Sequence, residues 1–297
     1  MTDARRPFGR LLTAMVTPMR ADGSLDLDGA GKLANHLVDV QGNDGLVING
    51  TTGEAPTTTD GEKEALLRAV VEAVGDRAHI VAGVGTNDTH HTLELARSAE
   101  KAGATGLLVV TPYYNRPPQA GLIRHFTSVA DGSGLPMLVY DIPTRTGTPI
   151  ETETMCRLAE HERIVGVKDA KGSVVEASWV MRRVPFAYYS GDDAYTLPLL
   201  SIGGVGVVGT STHFTGIGTK AMIEAYERGD VAEALGRHQA LLPMYTGVFR
   251  TQGTILVKAG LNLLGIPAGP VRSPLVDATD EQIAQLRLDA ADAELSL

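Results

Sequence analysis

The chain has a single cysteine, Cys156, so no internal disulfide can form. That fits a reducing compartment, with Cys156 read as an ordinary helix-face residue. It also has no basic block to set against its net charge of −9, which argues against nucleic acid or an anionic membrane as partner. An anionic substrate would then need positive groups gathered locally. No apolar run approaches the length of a membrane span. Nor is there a clear export signal. Arg5-Arg6-Pro7-Phe8 looks faintly like a twin-arginine leader, but the apolar stretch after it is short and broken by Thr13. It runs into Thr17-Pro18 without a small-residue cleavage site and reads as a first strand. A cytoplasmic protein is expected. Internal repeats and low-complexity linkers are missing too.

What is present is an alternation of short apolar runs and amphipathic stretches. The runs fall at 11–16, 45–49, 79–84, 106–111, 136–140, 164–168, 186–190 and 204–209. They are rich in Val, Leu and Ile, near-continuous, and bounded by Gly or Pro, as strands buried on both faces are. Helical spacing lies between them, for example Leu66, Leu67, Val70, Val71 and Val74, or the segments 122–129, 152–158 and 174–184. Eight such units predict a (β/α)8 TIM barrel, with a doubly wound sheet as the other possibility. From about Thr219 only helical patterns remain, so the expected organisation is a barrel over 1–228 and a small C-terminal helical extension over 229–297. At 297 residues the chain has the length for both and buries enough apolar surface to need no disulfide.

In such a barrel, side chains at the C-terminal ends of the strands face one pocket. The second run ends in Gly50-Thr51-Thr52-Gly53-Glu54, the fourth in Thr111-Pro112-Tyr113-Tyr114-Asn115, the fifth in Tyr140-Asp141-Ile142-Pro143-Thr144-Arg145, and the sixth in Lys168-Asp169-Ala170. Lys168 closes an apolar strand. Burial there disfavours its ammonium form and frees a neutral amine, the species that attacks a ketone to form an imine. The alternative is an ammonium paired with Asp169 or Glu54. Tyr140 and Tyr114, bridged by a hydroxyl such as that of Thr51, could relay protons, or could simply cap the barrel mouth. Arg145 could hold a carboxylate in a two-pronged bond, or be a solvated loop residue. Thr51-Thr52-Gly53 could offer backbone N–H groups and hydroxyls to a carboxylate.

Other apparent signals are discounted. Gly204 to Gly209 spells G-x-G-x-x-G but falls within a strand rather than between a strand and a helix, so its glycines are read as room for a small ligand to approach the backbone. His90 and His91 are adjacent, and no Cys, Asp or Glu cluster completes a metal site around them. His213 could border the pocket but has no nucleophile to pair with. Asp192-Asp193 reads at least as well as a helix N-terminus as a metal pair.

The motifs GTTGE at 50–54, TPYYNRP at 111–117, YDIPTRTG at 140–147, GVKDA at 166–170 and SGDDA at 190–194 together resemble the dihydrodipicolinate synthase branch of the pyruvate Schiff-base aldolase superfamily. The resemblance runs from about Arg10 to beyond Leu264. It implies that Lys168 forms the imine with pyruvate and that Tyr140 is the acid/base, linked by Thr51 to a Tyr114 that reaches a neighbouring subunit's site. Thr52 and the backbone of Val208 would contact pyruvate, and Arg145 the carboxylate of L-aspartate 4-semialdehyde. It implies no metal or organic cofactor and a homotetramer built as a dimer of dimers. YDIP and GVKDA depart mildly from the commoner YNVP and GIKEA. Asn87 and Tyr113 match the family's lysine-inhibitor site, whereas Asp60, Lys63 and His91 stand where lysine-sensitive members carry two histidines and a glutamate. Weak or absent inhibition by lysine is therefore expected. The competing possibilities are a sibling such as N-acetylneuraminate lyase or a keto-deoxy-sugar acid aldolase, a non-catalytic barrel, or a barrel that binds sugar phosphates.

Overall fold

Apolar runs that must be buried on both faces are satisfied by a parallel sheet covered with helices, and every run becomes a strand. The computed structural model describes residues 6–297. The strands are β1 (Leu11–Ala14), β2 (Gly45–Ile48), β3 (His79–Gly83), β4 (Gly106–Val110), β5 (Met137–Asp141), β6 (Ile164–Asp169), β7 (Ala187–Ser190) and β8 (Gly206–Gly209). Neighbours in sequence pair in parallel, and β8 pairs with β1. That last pairing closes a TIM barrel and removes the open-sheet alternative. Of the Arg5-Arg6 pair, Arg5 lies outside the described residues, while Arg6 forms an ion pair with Glu227. Among the described residues no helix is long and apolar enough to cross a membrane.

The helices are α1 (Leu27–Asn35, continued by a π-helical turn His36–Val40), α2 (Asp60–Val74), α3 (Thr89–Lys101), α4 (Gln119–Asp131), α5 (Pro143–Thr146), α6 (Thr152–Leu158), α7 (Val174–Met181), α8 (Thr196–Leu200) and α9 (Thr212–Glu227). Their starts follow local chemistry. Asp26, Asp88 and Ser173 accept backbone N–H groups at the N-termini of α1, α3 and α7, and Thr59 with Glu62 forms a capping box on α2. The two short helices α5 and α8 are not legible in the sequence, because one turn carries too little periodicity. The chain then adds α10 (Val231–Gly247), α11 (Gly253–Leu263) and α12 (Asp280–Asp292), with α10 packed on α9 and α12 on α10.

The barrel interior is filled by Leu12, Ala14, Val47, Val81, Leu108, Leu138, Tyr140, Tyr189 and Val208. Phe8 belongs to the same cluster. Its backbone N–H donates to the Tyr189 hydroxyl, which in turn donates to the Gly9 carbonyl. A Cβ on Gly106 would sit 2.4 Å from the Phe8 ring, so any side chain there would have to displace that ring. The other end of the barrel is left open.

The terminal helices hold the loop after β2. Lys258 of α11 and Glu54 are both buried and pair at 2.6 Å. Lys258 also donates to the Pro270 carbonyl, and Glu54 accepts the Arg272 backbone N–H. The Thr254 hydroxyl donates to the Thr52 carbonyl, and that of Thr17 to the Gly53 carbonyl. Glu54 itself sits in the left-handed region, φ 57°, a conformation sustained by surrounding contacts. Removing one partner leaves a buried charge uncompensated, at a cost of about 3–5 kcal/mol. Lys258→Met should therefore lower unfolding stability in urea by about that amount, and Glu54→Gln/Lys258→Met should recover part of the loss. Equal stability of Lys258→Met and the parent would refute this role.

Candidate active site

Side chains alternate along a strand, so the register between β5 and β6 decides what shares a face. Tyr140 pairs with Lys168 and Asp141 with Asp169. Tyr140 belongs to the interior cluster and lines the open-ended cavity together with Lys168. Asp141 and Asp169 project to the helix side instead, where both line a small cleft with residues of α6 and α7. The end of β5 is fixed from β4, since both the N–H and the hydroxyl of Thr111 donate to the Tyr140 carbonyl.

Lys168 is buried, with Nζ 4.4 Å from the centroid of the Tyr140 ring. Neither carboxylate considered from the sequence pairs with it. Asp169 accepts the Lys171 N–H at 2.8 Å, and Glu54 is taken by Lys258. Among the described residues no carboxylate lies within ion-pairing distance of the Lys168 amine. Burial pulls its pKa down to about 8, opposed by the more distant Asp193 carboxylate and assisted by Arg145. At neutral pH roughly a tenth of such an amine is uncharged, far more than for a lysine in water. Burial has the opposite consequence for Tyr140, pushing its phenol up to about 12, so it remains a proton donor throughout the physiological range.

Asp193 is the residue that sequence reasoning undervalued. Asp192 does cap a short helical turn, accepting the Ala194 N–H. Its neighbour turns inward, fully buried, and accepts the Thr210 N–H at 3.1 Å and the Ser211 hydroxyl at 2.7 Å. No spacing rule separates the two. Gly191, just before them, leaves the space that the Lys168 stem fills, since a Cβ there would lie 3.1 Å from its Cγ.

Thr51 and Arg145 line the same cavity of about 420 Å³ as Tyr140 and Lys168. Arg145 is carried by α5, whose chain reverses at Gly147, φ 76°. Among the described residues its guanidinium makes no ion pair, and the hydroxyls of Thr51 and Tyr140 make no hydrogen bond. Four polar groups with unused bonding capacity thus surround one space. A keto acid offers them a carbonyl carbon, a carbonyl oxygen and a carboxylate.

The other half of the cavity is lined by Asp60, Lys63, Asn87, His91 and Tyr113. The Asp60 carboxylate is bonded to His91 Nε2 at 2.9 Å, and Lys63 Nζ donates to the Thr58 carbonyl.

Thr52, Val208 and Tyr114 are not among the residues lining the cavity of the single chain. The Thr52 hydroxyl is 3.3 Å from that of Thr210 and outside the cavity lining. Val208 is wholly buried in the barrel interior. Tyr114 is 90% exposed with φ 73° and reaches neither Thr51 nor Tyr140 of its own chain. The Gly204–Gly209 stretch forms β8 and its approach, and none of it lines the cavity. A Cβ on Gly206 would lie 2.1 Å from the Arg10 carbonyl oxygen of β1's approach, so close packing within the barrel explains that glycine. His213 does not border the cavity either. It is fully buried, donating from Nδ1 to the Thr210 carbonyl and accepting the Val16 N–H at Nε2. Among the described residues no group of three or more His, Cys, Asp or Glu could hold a metal.

The amine gives a pH signature. Its reactive form gains population as pH rises through about 8, so imine formation with a 2-keto acid should accelerate about tenfold per pH unit below that point and level off above it. The Asp193 carboxylate favours the ammonium, so Asp193→Asn should move the break to lower pH. Stopped-flow trapping between about pH 6 and 9 measures both, and a flat profile would exclude a titrating amine of this kind.

Comparison with known proteins agrees with this geometry. The model of the dihydrodipicolinate synthetase family matches residues 7–293. A 4-hydroxy-tetrahydrodipicolinate synthase of Acidothermus cellulolyticus is 70% identical over 295 residues, covering 99% of this chain and 96% of the relative. One from Streptomyces coelicolor, 4-hydroxy-tetrahydrodipicolinate synthase 2, is 61% identical over 291 residues, covering 98% and 97%. The crystal structure of a dihydrodipicolinate synthase from Cyanidioschyzon merolae with lysine bound superposes with a TM-score of 0.94 at 41% identity. It covers 97% of this chain and 99% of that one. With a closed barrel, a strand-end lysine and tyrosine facing one cavity, and similarity over nearly its whole length, this chain belongs to the dihydrodipicolinate synthetase family.

Proposed function

We propose that the protein condenses pyruvate with L-aspartate 4-semialdehyde to 4-hydroxy-tetrahydrodipicolinate through a Schiff base on Lys168, as a cytoplasmic enzyme of diaminopimelate and lysine biosynthesis. The observation that carries this is the buried Lys168 amine, held beside Tyr140 with no carboxylate in contact. The neutral amine attacks the pyruvate ketone. Tyr140 supplies the proton that lets the carbinolamine oxygen leave as water, giving a protonated imine. That cation draws electrons from the adjacent methyl carbon, which loses a proton and then attacks the aldehyde carbon. The amino group of the second substrate next displaces Lys168 from the imine carbon, closing the ring and restoring the free amine. One water is lost overall.

Arg145 is assigned to the carboxylate of the aldehyde substrate, and Thr51 to the proton path from Tyr140. Thr52 and the Val208 backbone are assigned as contacts for pyruvate. Tyr114, projecting into solvent on its own chain, is assigned to the neighbouring site of a homotetramer arranged as a dimer of dimers.

Borohydride reduction with pyruvate, followed by peptide mass mapping, should place the adduct on Lys168, and Lys168→Ala should take up none. An adduct on another lysine ends the proposal. Tyr140→Phe should lower kcat by about 10²-fold or more, as loss of a general acid does.

Regulation follows from the far half of the cavity. Asp60 is bonded to His91, and the Lys63 amine already occupies that half, so a second ammonium ion meets like charge. L-Lysine should inhibit weakly or not at all. A steady-state inhibition constant in the millimolar range or below would contradict this.

A further inference from the structure

The cleft on the helix side of β5 and β6 holds two buried carboxylates, Asp141 and Asp169, side by side in the sheet register. Lys171 supplies their counter-charge. Its Nζ lies 3.5 Å from Asp141 Oδ2 and 2.7 Å from Glu176. It also donates to the Ile150 carbonyl at 2.9 Å. Asp141, in turn, accepts the Ile150 backbone N–H at 3.3 Å through either carboxylate oxygen. The pair therefore grips both polar groups of one peptide residue. Ile150 is where the segment that leaves β5 at Asp141, turns through α5 and carries Arg145 comes back to the barrel wall. Gln119 of α4 holds the residues on either side, donating to the Pro149 carbonyl and accepting the Glu151 N–H.

We infer that Asp141 and Lys171 are positioning residues that fix the span carrying Arg145, and so set affinity for the carboxylate of the aldehyde substrate. The inference rests on the assignment of Arg145 above. The argument is geometric. Tyr140 and Lys168 are held by the sheet itself, whereas Arg145 stands on a short excursion whose return is fixed by side chains. A charge-assisted hydrogen bond at a buried peptide is among the stronger local restraints a protein has. Its loss should loosen the excursion while leaving the strand-borne lysine and tyrosine in register. Both clamp residues lie on the opposite side of the wall from the cavity, so neither touches substrate.

The test compares KM values for the two substrates. Lys171→Met should raise KM for the aldehyde by about tenfold, with KM for pyruvate and borohydride trapping on Lys168 within about twofold of the parent. Asp141→Asn keeps an acceptor oxygen for the Ile150 N–H and should have the smaller effect, whereas Asp141→Leu, which removes it, should match Lys171→Met. Should Lys171→Met not fold, Asp141→Asn/Lys171→Met removes the charge from both partners and carries the same comparison. Folded variants with an unchanged aldehyde KM, or with both KM values rising together, overturn the clamp. The parent protein run alongside separates the two levels of inference. If it forms no pyruvate adduct the assigned reaction fails, and if it forms the adduct but the variants show no split, the clamp alone fails.

Discussion

An ammonium ion held away from water with no anion against it is poorly stabilised, and this one constraint organises the site. The barrel wall removes solvent from Lys168, the Tyr140 ring covers it at 4.4 Å, and the carboxylates nearby are occupied with other partners. Asp169 is bonded from Lys171, Glu54 from Lys258, and Asp193 from Thr210 and Ser211. Had any of them been left free to contact Nζ, an ion pair would have formed and the amine would have stayed protonated. The tyrosine ring face favours the cation modestly, but desolvation outweighs it.

The same economy of partners extends to the walls. The loop bearing Thr51 and Thr52 is backed by α11 through Glu54–Lys258 and Thr254, so the helices after α9 bear directly on the site's geometry. The span bearing Arg145 is held from behind by groups on the far side of β5 and β6. In both places the residues facing the cavity keep their bonding capacity, while buried charges out of reach of substrate fix their backbone. Asp141 and Asp169 looked like mild departures from the commoner family pattern; in the fold they sit together in the cleft that holds the Arg145 span.

Much of the site could be read from the sequence because each key residue ends an apolar run. Lys168 and Tyr140 follow directly from strand termination, and Thr51 and Arg145 from the loops that come next. Asp193 did not, since adjacent acids give no indication which one turns inward. The glycines of β8 are ambiguous in the sequence, because a close approach of backbone and a close approach of ligand leave the same letters. His213 misled because a position near a strand end does not say which way a side chain points.

The sequence alone determined the number of buried strands and their alternation with the longer helices, because these depend on neighbours within a few residues. It also placed the lysine and the tyrosine each at the end of its own strand. Closure of β8 on β1, the register that sets Tyr140 opposite Lys168 and the carboxylates opposite each other, and the pairing of Glu54 with Lys258 were decided only in three dimensions. Each joins residues far apart in the chain, and such contacts are chosen by packing and by the cost of leaving a buried charge unpaired, which no local pattern encodes.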